Sequence, residues 1–371
     1  MKFRFLFGVM MVLCLQKASY AASAIVGYSI ATGAVAHERV GYDANGLNQI
    51  FRASPPLSVT PEAGELLKQR GLGPAADFQK PVRLWPTLSE YNGGIHWVIT
   101  HLFGVASRQY LDMEEYGWGY LVGRMLGYSG DEILIAAEDG ARSKVIRYQF
   151  NRVLEHTKGI LPEHIFMMFT GNDLCGINMS LVTDAQSYAH HFDQQIRYLA
   201  SVAKLSATES HIWLVDPVGV AQLSLSEALL AKKVKAHGKE MTCGELYSVN
   251  RGEKMSSEEV HLMFLPKSPS AYCSTLLVNK NQEDAERIGK LANLIRSYRE
   301  NLQKAVEGIN KDKEKGRFPA SISVHHISET SNYIIEPEDL ANDCFHLSLQ
   351  GQAKLARSIL KGVESRLGVS F

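Results

Sequence analysis

The feature that most constrains the fold is an alternation of short apolar runs with longer amphipathic segments. Continuous apolar runs of about four to eight residues are typical of strands buried on both faces of a parallel sheet. Amphipathic segments between them indicate covering helices. The alternation predicts an α/β fold: a three-layer α/β/α sandwich with a mostly parallel sheet, whose strands end on one common rim. The predicted strands are 24–26, 132–137, 164–169, 211–215 and 321–327, and the predicted helices are 116–126, 143–156, 185–205, 282–310 and 348–367.

Two stretches interrupt this pattern. Residues 41–110 contain six prolines and many polar residues, and residues 232–269 are irregular. We expect both to be insertions in one domain that spans residues 23–371. The dense charge run at 311–317 predicts a solvated loop.

The amino terminus has the three parts of an export signal. Lys2 and Arg4 precede an apolar run at 5–15, and small residues at Ser19 and Ala21 follow it. This order predicts a cleaved signal peptide at residues 1–22 and a periplasmic or secreted protein. Its removal takes three basic residues from 39 and leaves 36 against 39 acidic ones, a net charge of −3. A slightly acidic chain argues against a nucleic-acid partner, and no later apolar run predicts a transmembrane segment.

Cysteine usage agrees with export. One of the five cysteines lies in the signal, and Cys175, Cys243, Cys273 and Cys344 remain. An even number in an oxidising compartment predicts two disulfides, for which three pairings are open. Without a Cys-x-x-Cys spacing, the cysteines do not indicate a zinc site.

Two segments place polar side chains directly after predicted strands. Ser29 lies in Gly-Tyr-Ser-Ile-Ala-Thr-Gly after the first strand, where open α/β sheets build their sites. Asn172 lies in Phe-Thr-Gly-Asn-Asp-Leu-Cys after the third, and its amide can donate a hydrogen bond to a developing oxyanion. The alternatives are a turn serine and an Asx turn.

Two further segments complete a set of acyl-transfer groups. In Asp343-Cys-Phe-His346 the i, i+3 spacing lets the carboxylate hold the imidazole, provided that both lie in one helical turn. Gly140, after the second strand, can offer its backbone N–H to the same oxyanion. The alternatives are a helix N-cap aspartate with an incidental histidine, and a simple turn. In order along the chain, the four segments supply a nucleophile, oxyanion donors, an orienting carboxylate and a base.

These blocks resemble those of the SGNH (GDSL-type) hydrolases: an early Gly-x-Ser, a later glycine, Gly-Asn-Asp, and Asp-x-x-His near the carboxyl terminus. The sequences of residues 170–175 and 343–348 are similar to those of the phospholipase B branch and more distantly to acyloxyacyl hydrolase. The resemblance implies a flavodoxin-like sandwich and a serine ester hydrolase that needs no metal or organic cofactor. It assigns Ser29 as nucleophile, His346 as general base and Asp343 as its orienting partner. The Ser29 N–H, Gly140 and Asn172 would form the oxyanion hole.

The resemblance favours a lipid ester of the lysophospholipase or phospholipase type as substrate, and leaves peripheral membrane contact open. The apolar residues at 84–86 and 96–99 of the first insertion indicate either an acyl-binding wall or a second small core. A carbohydrate O-acetylesterase of the cell envelope is the first alternative. A non-catalytic binding module on the same scaffold is the second, and Tyr28 supports it because the family has aspartate there.

Three further expectations follow. Ser129, in Gly-Tyr-Ser-Gly, is the control serine, since a helix-to-strand turn puts it on the opposite rim. Because Cys175 and Cys344 each lie within three residues of a predicted site residue, the favoured pairing is Cys175–Cys344 with Cys243–Cys273. The histidine pairs at 190–191 and 325–326 are expected to be structural, since no other ligands lie at metal-binding spacing.

Overall fold

The computed structural model describes residues 21–31, 81–84, 117–138, 140–176, 178–205, 208–236, 239–248, 270 and 273–370. Nearly all of the predicted signal peptide, most of the first insertion and residues 249–269 of the second lie outside these ranges. The cleavage site and the proposed acyl-binding wall therefore stay predictions.

A six-stranded parallel sheet forms the centre of the fold. Its strands lie side by side in the order β2-β3-β1-β4-β5-β8, and every pairing is parallel. A separate antiparallel hairpin consists of β6 and β7. The strands are β1 Ser23–Gly27, β2 Val82–Arg83, β3 Ile133–Ile135, β4 His164–Met168, β5 Ser210–Val215, β6 Lys233–Ala236, β7 Lys239–Thr242 and β8 Ile322–Ile327.

Helices cover the sheet in two groups, as a three-layer α/β/α sandwich requires. The pair α1 and α10 pack against each other and against β1, β3 and β8, whereas α2, α4 and α9 pack together on the other side. Within the described ranges the helices are α1 Trp118–Met125, α2 Ile146–His156, α3 Gly171–Leu174, α4 Ala185–Val202, α5 Gln222–Leu225, α6 Glu227–Leu230, α7 Cys243–Ser248, α8 Ser274–Leu277, α9 Gln282–Glu314 and α10 Leu349–Leu367.

Local sequence explains where the long helices begin. The side chains of Asp184, Asn281 and Ser348 accept hydrogen bonds from backbone N–H groups in the first turns of α4, α9 and α10. These residue types are the preferred N-caps, because their short side chains satisfy donors that the helix leaves unpaired. No helix in the described part of the chain is long and apolar enough to cross a membrane.

The predicted α/β fold is confirmed, and three local expectations need correction. The charge run at 311–317 is not a loop at its start, because α9 continues to Glu314. In its last turn Asp312 pairs with Arg197 and Lys313 pairs with Glu209. The first insertion contributes the short edge strand β2. The second insertion is regular over most of its described part, where it forms β6, β7 and α7.

A close backbone approach fixes the carboxyl end of β1 against β4. A Cβ atom at Gly27 would lie 2.7 Å from the Met168 carbonyl oxygen and 3.1 Å from the Ala31 Cβ. The Gly27 N–H donates to Gln149 Oε1 at 2.7 Å, and Gln149 Nε2 donates back to the Gly27 carbonyl at 2.8 Å. Glycine is therefore needed here for space, and the turn that follows leaves the sheet at a fixed point.

A ladder of aromatic rings crosses the neighbouring strands β4, β5 and β8. His164 on β4 is paired in register with His211 on β5, and Trp213 is paired with His325 on β8. Trp213 Nε1 donates to His164 Nδ1 at 2.9 Å, and His211 Nδ1 lies 3.0 Å from His325 Nε2. The His325 ring also stacks on the Trp213 ring, with the ring centroids 4.2 Å apart.

Substituting Gly27 with alanine is expected to lower the free energy of unfolding by about 1–3 kcal/mol, because the new methyl group collides with a carbonyl that the sheet holds in place. Gly289→Ala is the matched control: in α9, apart from the adjacent residues and the backbone of its own helix, no described atom lies within 4 Å of an added Cβ at this position. It should raise stability by up to about 1 kcal/mol, as expected for a helix interior. Urea unfolding measures both, and equal effects would contradict the steric account.

The histidine ladder predicts a loss of stability in mild acid. Burial, with the charge of His211 as a smaller cause, lowers the pKa of His164 to about 3, and burial lowers the pKa of His325 to about 4. Unfolded histidine titrates near about 6.5. Below that pH the unfolded chain therefore binds protons that the folded chain excludes. The free energy of unfolding should fall between about pH 6.5 and 4, by up to about 1.4 kcal/mol per pH unit for each histidine.

Urea unfolding at several pH values checks this expectation. Asparagine at position 164 keeps an acceptor for Trp213 Nε1 but cannot titrate. The free energy of unfolding of His164→Asn should therefore depend less steeply on pH than that of the wild type, by up to about 1.4 kcal/mol per pH unit, the contribution of one histidine. Identical slopes in the two proteins would show that His164 does not carry the effect.

Candidate active site

Ser29 lies in a tight turn directly after β1. The Ala31 N–H donates to the Tyr28 carbonyl at 2.8 Å, which closes the turn, and Ser29 is only 5% exposed. Gly27 is paired with Met168 at the end of β4. The serine therefore stands at the carboxyl rim of the sheet, as the sequence predicts.

Three predicted side chains meet at this rim. His346 Nε2 lies 2.9 Å from Ser29 Oγ, and His346 Nδ1 lies 2.5 Å from Asp343 Oδ2. The hydroxyl and the carboxylate therefore contact opposite nitrogens of one imidazole. This arrangement lets the ring take a proton from the serine while the carboxylate fixes the tautomer.

The contact between Asp343 and His346 arises in a turn and not in a helix. A bridge between Leu340 and Leu347 closes this segment, and α10 begins only at Leu349 with Ser348 as its cap. The contact predicted between Asp343 and His346 is present, but the helical turn that was expected to produce it is not. The alternative of an N-cap aspartate is also excluded, since Ser348 caps the helix.

Asp343 shapes the turn as well as facing the imidazole. Its Oδ1 accepts the backbone N–H groups of Phe345 at 3.0 Å and His346 at 2.9 Å. Burial disfavours the charged carboxylate, but the charge of His346 and these hydrogen bonds more than offset it and hold the pKa of Asp343 below its ordinary value. The carboxylate is therefore ionised at neutral pH, as an imidazole-orienting partner must be.

The loops that carry the predicted oxyanion donors lie beside the serine turn, since the Glu138 N–H, near Gly140, donates to the Gly27 carbonyl at 3.1 Å. The Tyr28 ring packs on the turn after β4, since a Cβ atom at Gly171 would lie 3.1 Å from the ring. Asn172 Nδ2 donates to the Ala141 carbonyl at 3.1 Å, which joins the Asn172 turn to the loop that carries Gly140. An amide group has two N–H donors, so one can serve a ligand while the other holds the loop. Gly140 has a φ of +74°, a left-handed conformation that favours glycine.

Asp173 joins these two loops more firmly, and the sequence analysis assigned it no role. Its carboxylate accepts the Ser143 N–H at 3.0 Å, the Ser143 hydroxyl at 2.8 Å and the Thr183 hydroxyl at 2.8 Å. Burial raises the pKa of Asp173, and these hydrogen bonds act in the opposite direction. Because Ser143 lies three residues after Gly140, Asp173 positions the Gly140 loop against the turn that carries Asn172.

Two buried glutamines hold the backbone around Ser29 and were also missed. Gln149 brackets Gly27, and Gln352 accepts the Trp118 N–H at 3.0 Å and donates to the Ile30 carbonyl at 3.0 Å. Both are fully buried. Each occupies an apolar-face position of its helix: Val153 lies four residues after Gln149 and Leu355 three residues after Gln352, and both are core residues. A polar residue inside an apolar stripe was the available signal.

The two disulfides are present, but the favoured pairing is wrong. The bonds join Cys175 to Cys273 and Cys243 to Cys344. Proximity of Cys175 and Cys344 to site residues did not imply mutual contact, because each is attached to a different support. The Cys175 segment pairs with α8, where the Gly176 N–H donates to Thr275 Oγ1 at 2.9 Å.

Ser129 and Tyr28, which the sequence analysis also singled out, lie at opposite ends of the sheet. Ser129 caps a short turn before β3, where its hydroxyl contacts Asp131 and Glu132, so it lies at the amino end of the sheet as predicted. Tyr28 is buried in the core beside Gly171. Its ring thus fills space behind the serine turn, and the contact between Ser29 and His346 is present beside it.

Asp173→Asn is expected to lower the free energy of unfolding by about 1–3 kcal/mol, because the amide nitrogen meets a donor and leaves buried N–H and O–H groups unpaired. It should also slow the reaction of Ser29 with a fluorophosphonate, since the Gly140 loop loses its anchor. Asp184→Ala is the matched control: it removes an exposed helix cap worth about 1 kcal/mol and contacts neither loop. A labelling rate that falls equally in both variants would argue against a positioning role.

The described site is thus built from side chains and backbone N–H groups. It combines a serine hydroxyl, an imidazole, a buried carboxylate and flanking N–H donors, the groups needed for nucleophilic acyl transfer.

The chain matches no protein-family model, and no curated protein is significantly similar to it.

Proposed function

We propose that this protein is a serine ester hydrolase that uses Ser29, His346 and Asp343. One observation carries the proposal: His346 bridges the Ser29 hydroxyl and the Asp343 carboxylate through its two ring nitrogens, at 2.9 and 2.5 Å. Ser29 and His346 are 317 positions apart in the chain, so their contact is not a local accident of sequence.

In the first half-reaction, Ser29 Oγ attacks the ester carbonyl carbon while His346 Nε2 takes the hydroxyl proton. The carbonyl π electrons move to the oxygen and form a tetrahedral oxyanion. Asp343 holds the Nδ1–H and stabilises the imidazolium. His346 then gives the proton to the departing alkoxide, so the alcohol leaves and an acyl-serine remains.

The oxyanion needs donors that are in place before charge develops. We assign this role to the Ser29 N–H, the Gly140 N–H and the Asn172 amide. Preorganised donors of this kind are each worth about 10²–10³ in rate in serine hydrolases. The hydrogen bond from Asn172 to Ala141 and the contacts of Asp173 with Ser143 support the assignment, because they hold the two donor loops to each other.

The second half-reaction repeats these steps with water. His346 Nε2 removes a proton from water, the hydroxide oxygen attacks the acyl carbon, and the tetrahedral intermediate collapses. The proton returns to Ser29 Oγ as the carboxylic acid leaves, which restores the hydroxyl.

We propose a lipid ester as the substrate, on the resemblance of the 170–175 and 343–348 blocks to the phospholipase B branch. The two disulfides are typical of an oxidising extracellular compartment. Together with the predicted signal peptide, they support export to the periplasm or the exterior.

Ser29→Ala should reduce ester hydrolysis at least about a thousandfold and abolish labelling by a fluorophosphonate, because the nucleophile is lost. Ser129→Ala is the matched control and should leave both unchanged, since its hydroxyl lies at the opposite end of the sheet. Peptide identification after labelling locates the reactive serine. A labelled serine other than Ser29, or full activity of Ser29→Ala, would contradict the proposal.

A series of p-nitrophenyl esters of increasing acyl length tests the substrate class. Higher kcat/KM on long acyl chains than on acetate supports a lipid esterase. A preference for acetate would instead favour the carbohydrate O-acetylesterase alternative. A wild-type protein that is folded, hydrolyses no ester and is not labelled would favour a binding module.

A further inference from the structure

Cys344 lies between Asp343 and His346 of the candidate triad and has an unusual backbone conformation. Its φ is +60°, in the left-handed region, and Lys158 is the other non-glycine residue with positive φ in the described ranges. A residue with a Cβ atom disfavours this conformation relative to glycine, because the Cβ approaches the neighbouring carbonyl oxygen. The turn that joins Asp343 to His346 therefore needs support from outside.

That support comes from α7, in the second predicted insertion. Cys243 at the start of α7 forms the disulfide with Cys344, and the Tyr247 hydroxyl in the same helix donates to the Cys344 carbonyl. Cys243, Tyr247 and Cys344 are all buried. The helix thus holds both the side chain and the backbone of the left-handed residue.

The segment before α7 holds the base of the same turn. Lys232 Nζ donates to the Pro337 carbonyl at 2.6 Å and to the Leu340 carbonyl, and the Cys243 N–H donates to the Lys232 carbonyl at 2.9 Å. Leu340 forms the bridge with Leu347 that closes the turn. Lys232 and α7 are therefore attached to this turn, at its closing bridge and at its left-handed residue.

We propose that Cys243 and Tyr247 are positioning residues for the candidate triad. They hold Cys344 in the left-handed conformation that directs Asp343 and His346 towards each other and His346 Nε2 towards Ser29 Oγ. The inference rests on the proposed function for its catalytic consequence. Its structural content, that α7 sets the geometry of the 343–346 turn, is independent of the substrate.

Two double variants of the full chain separate this role from simple loss of a disulfide. Both C243A/C344A and C243A/C344G lack the covalent bond. Alanine retains the Cβ atom that disfavours the left-handed conformation, whereas glycine adopts it readily. If the disulfide acts by holding this conformation, C243A/C344A should lose about tenfold or more in kcat on p-nitrophenyl acetate, with KM within about twofold. C243A/C344G should recover most of that loss, and Tyr247→Phe should lose about threefold.

Circular dichroism and thermal unfolding establish that each variant is folded under the assay conditions. Equal kcat values for the two folded double variants, whether both normal or both low, would overturn the proposal. So would a C243A/C344A protein in which KM changes and kcat does not.

An NMR measurement that needs no substrate tests the positioning role separately from the proposed esterase activity. The Nδ1 proton of His346, held against Asp343, should give a downfield proton NMR signal, identified by its loss in His346→Gln. We expect the signal in the wild type and in C243A/C344G and its weakening in C243A/C344A. If the wild type hydrolyses no ester, the proposed function fails while this signal still tests the positioning. An unchanged signal in C243A/C344A would overturn the inference.

Discussion

The close contact between the carboxyl ends of β1 and β4 is the constraint on which the candidate site depends. Gly27 lies so near the Met168 carbonyl that a Cβ atom would not fit, and the parallel register aligns the two strand ends. The turn after β1 carries Ser29, and the turn after β4 carries Asn172 and Asp173. A wider separation of the strands would move the Ser29 hydroxyl away from the proposed oxyanion donors, whatever the local conformation of either turn.

Buried polar side chains then fix the backbone around this contact. Gln149 binds Gly27, Gln352 joins α1 and α10 to the Ser29 turn, and Asp173 binds the Gly140 loop. A buried polar group left unpaired costs about 1–3 kcal/mol, so each group strongly favours the one arrangement that satisfies it. Apolar packing forms the sandwich, but these hydrogen bonds choose the positions of its rim loops. Rigid support of this kind is what an enzyme site needs around its reacting groups.

The disulfides add a second level of constraint. They join residues 98 and 101 positions apart, and in the chain-entropy account a loop of about 100 residues gives about 4.7 kcal/mol of stabilisation. Their placement matters as much as their number. Cys175–Cys273 holds the segment after Asn172, and Cys243–Cys344 holds the turn of Asp343 and His346. Each side of the candidate site thus has its own covalent anchor.

The sequence by itself determined the α/β class, the strands β1, β3, β4, β5 and β8 and the long helices, and it predicted Ser29, Asp343 and His346, whose side chains the structure brings together. Apolar runs and helical stripes are local patterns, and Ser29, Asn172, Asp343 and His346 stand where such runs end or helices begin. Only the tertiary structure decided the disulfide pairing, the left-handed turn at Cys344, the edge strand β2 and the roles of Gln149, Gln352 and Asp173. These features depend on contacts between residues far apart in the chain, and no local periodicity records which distant segments meet.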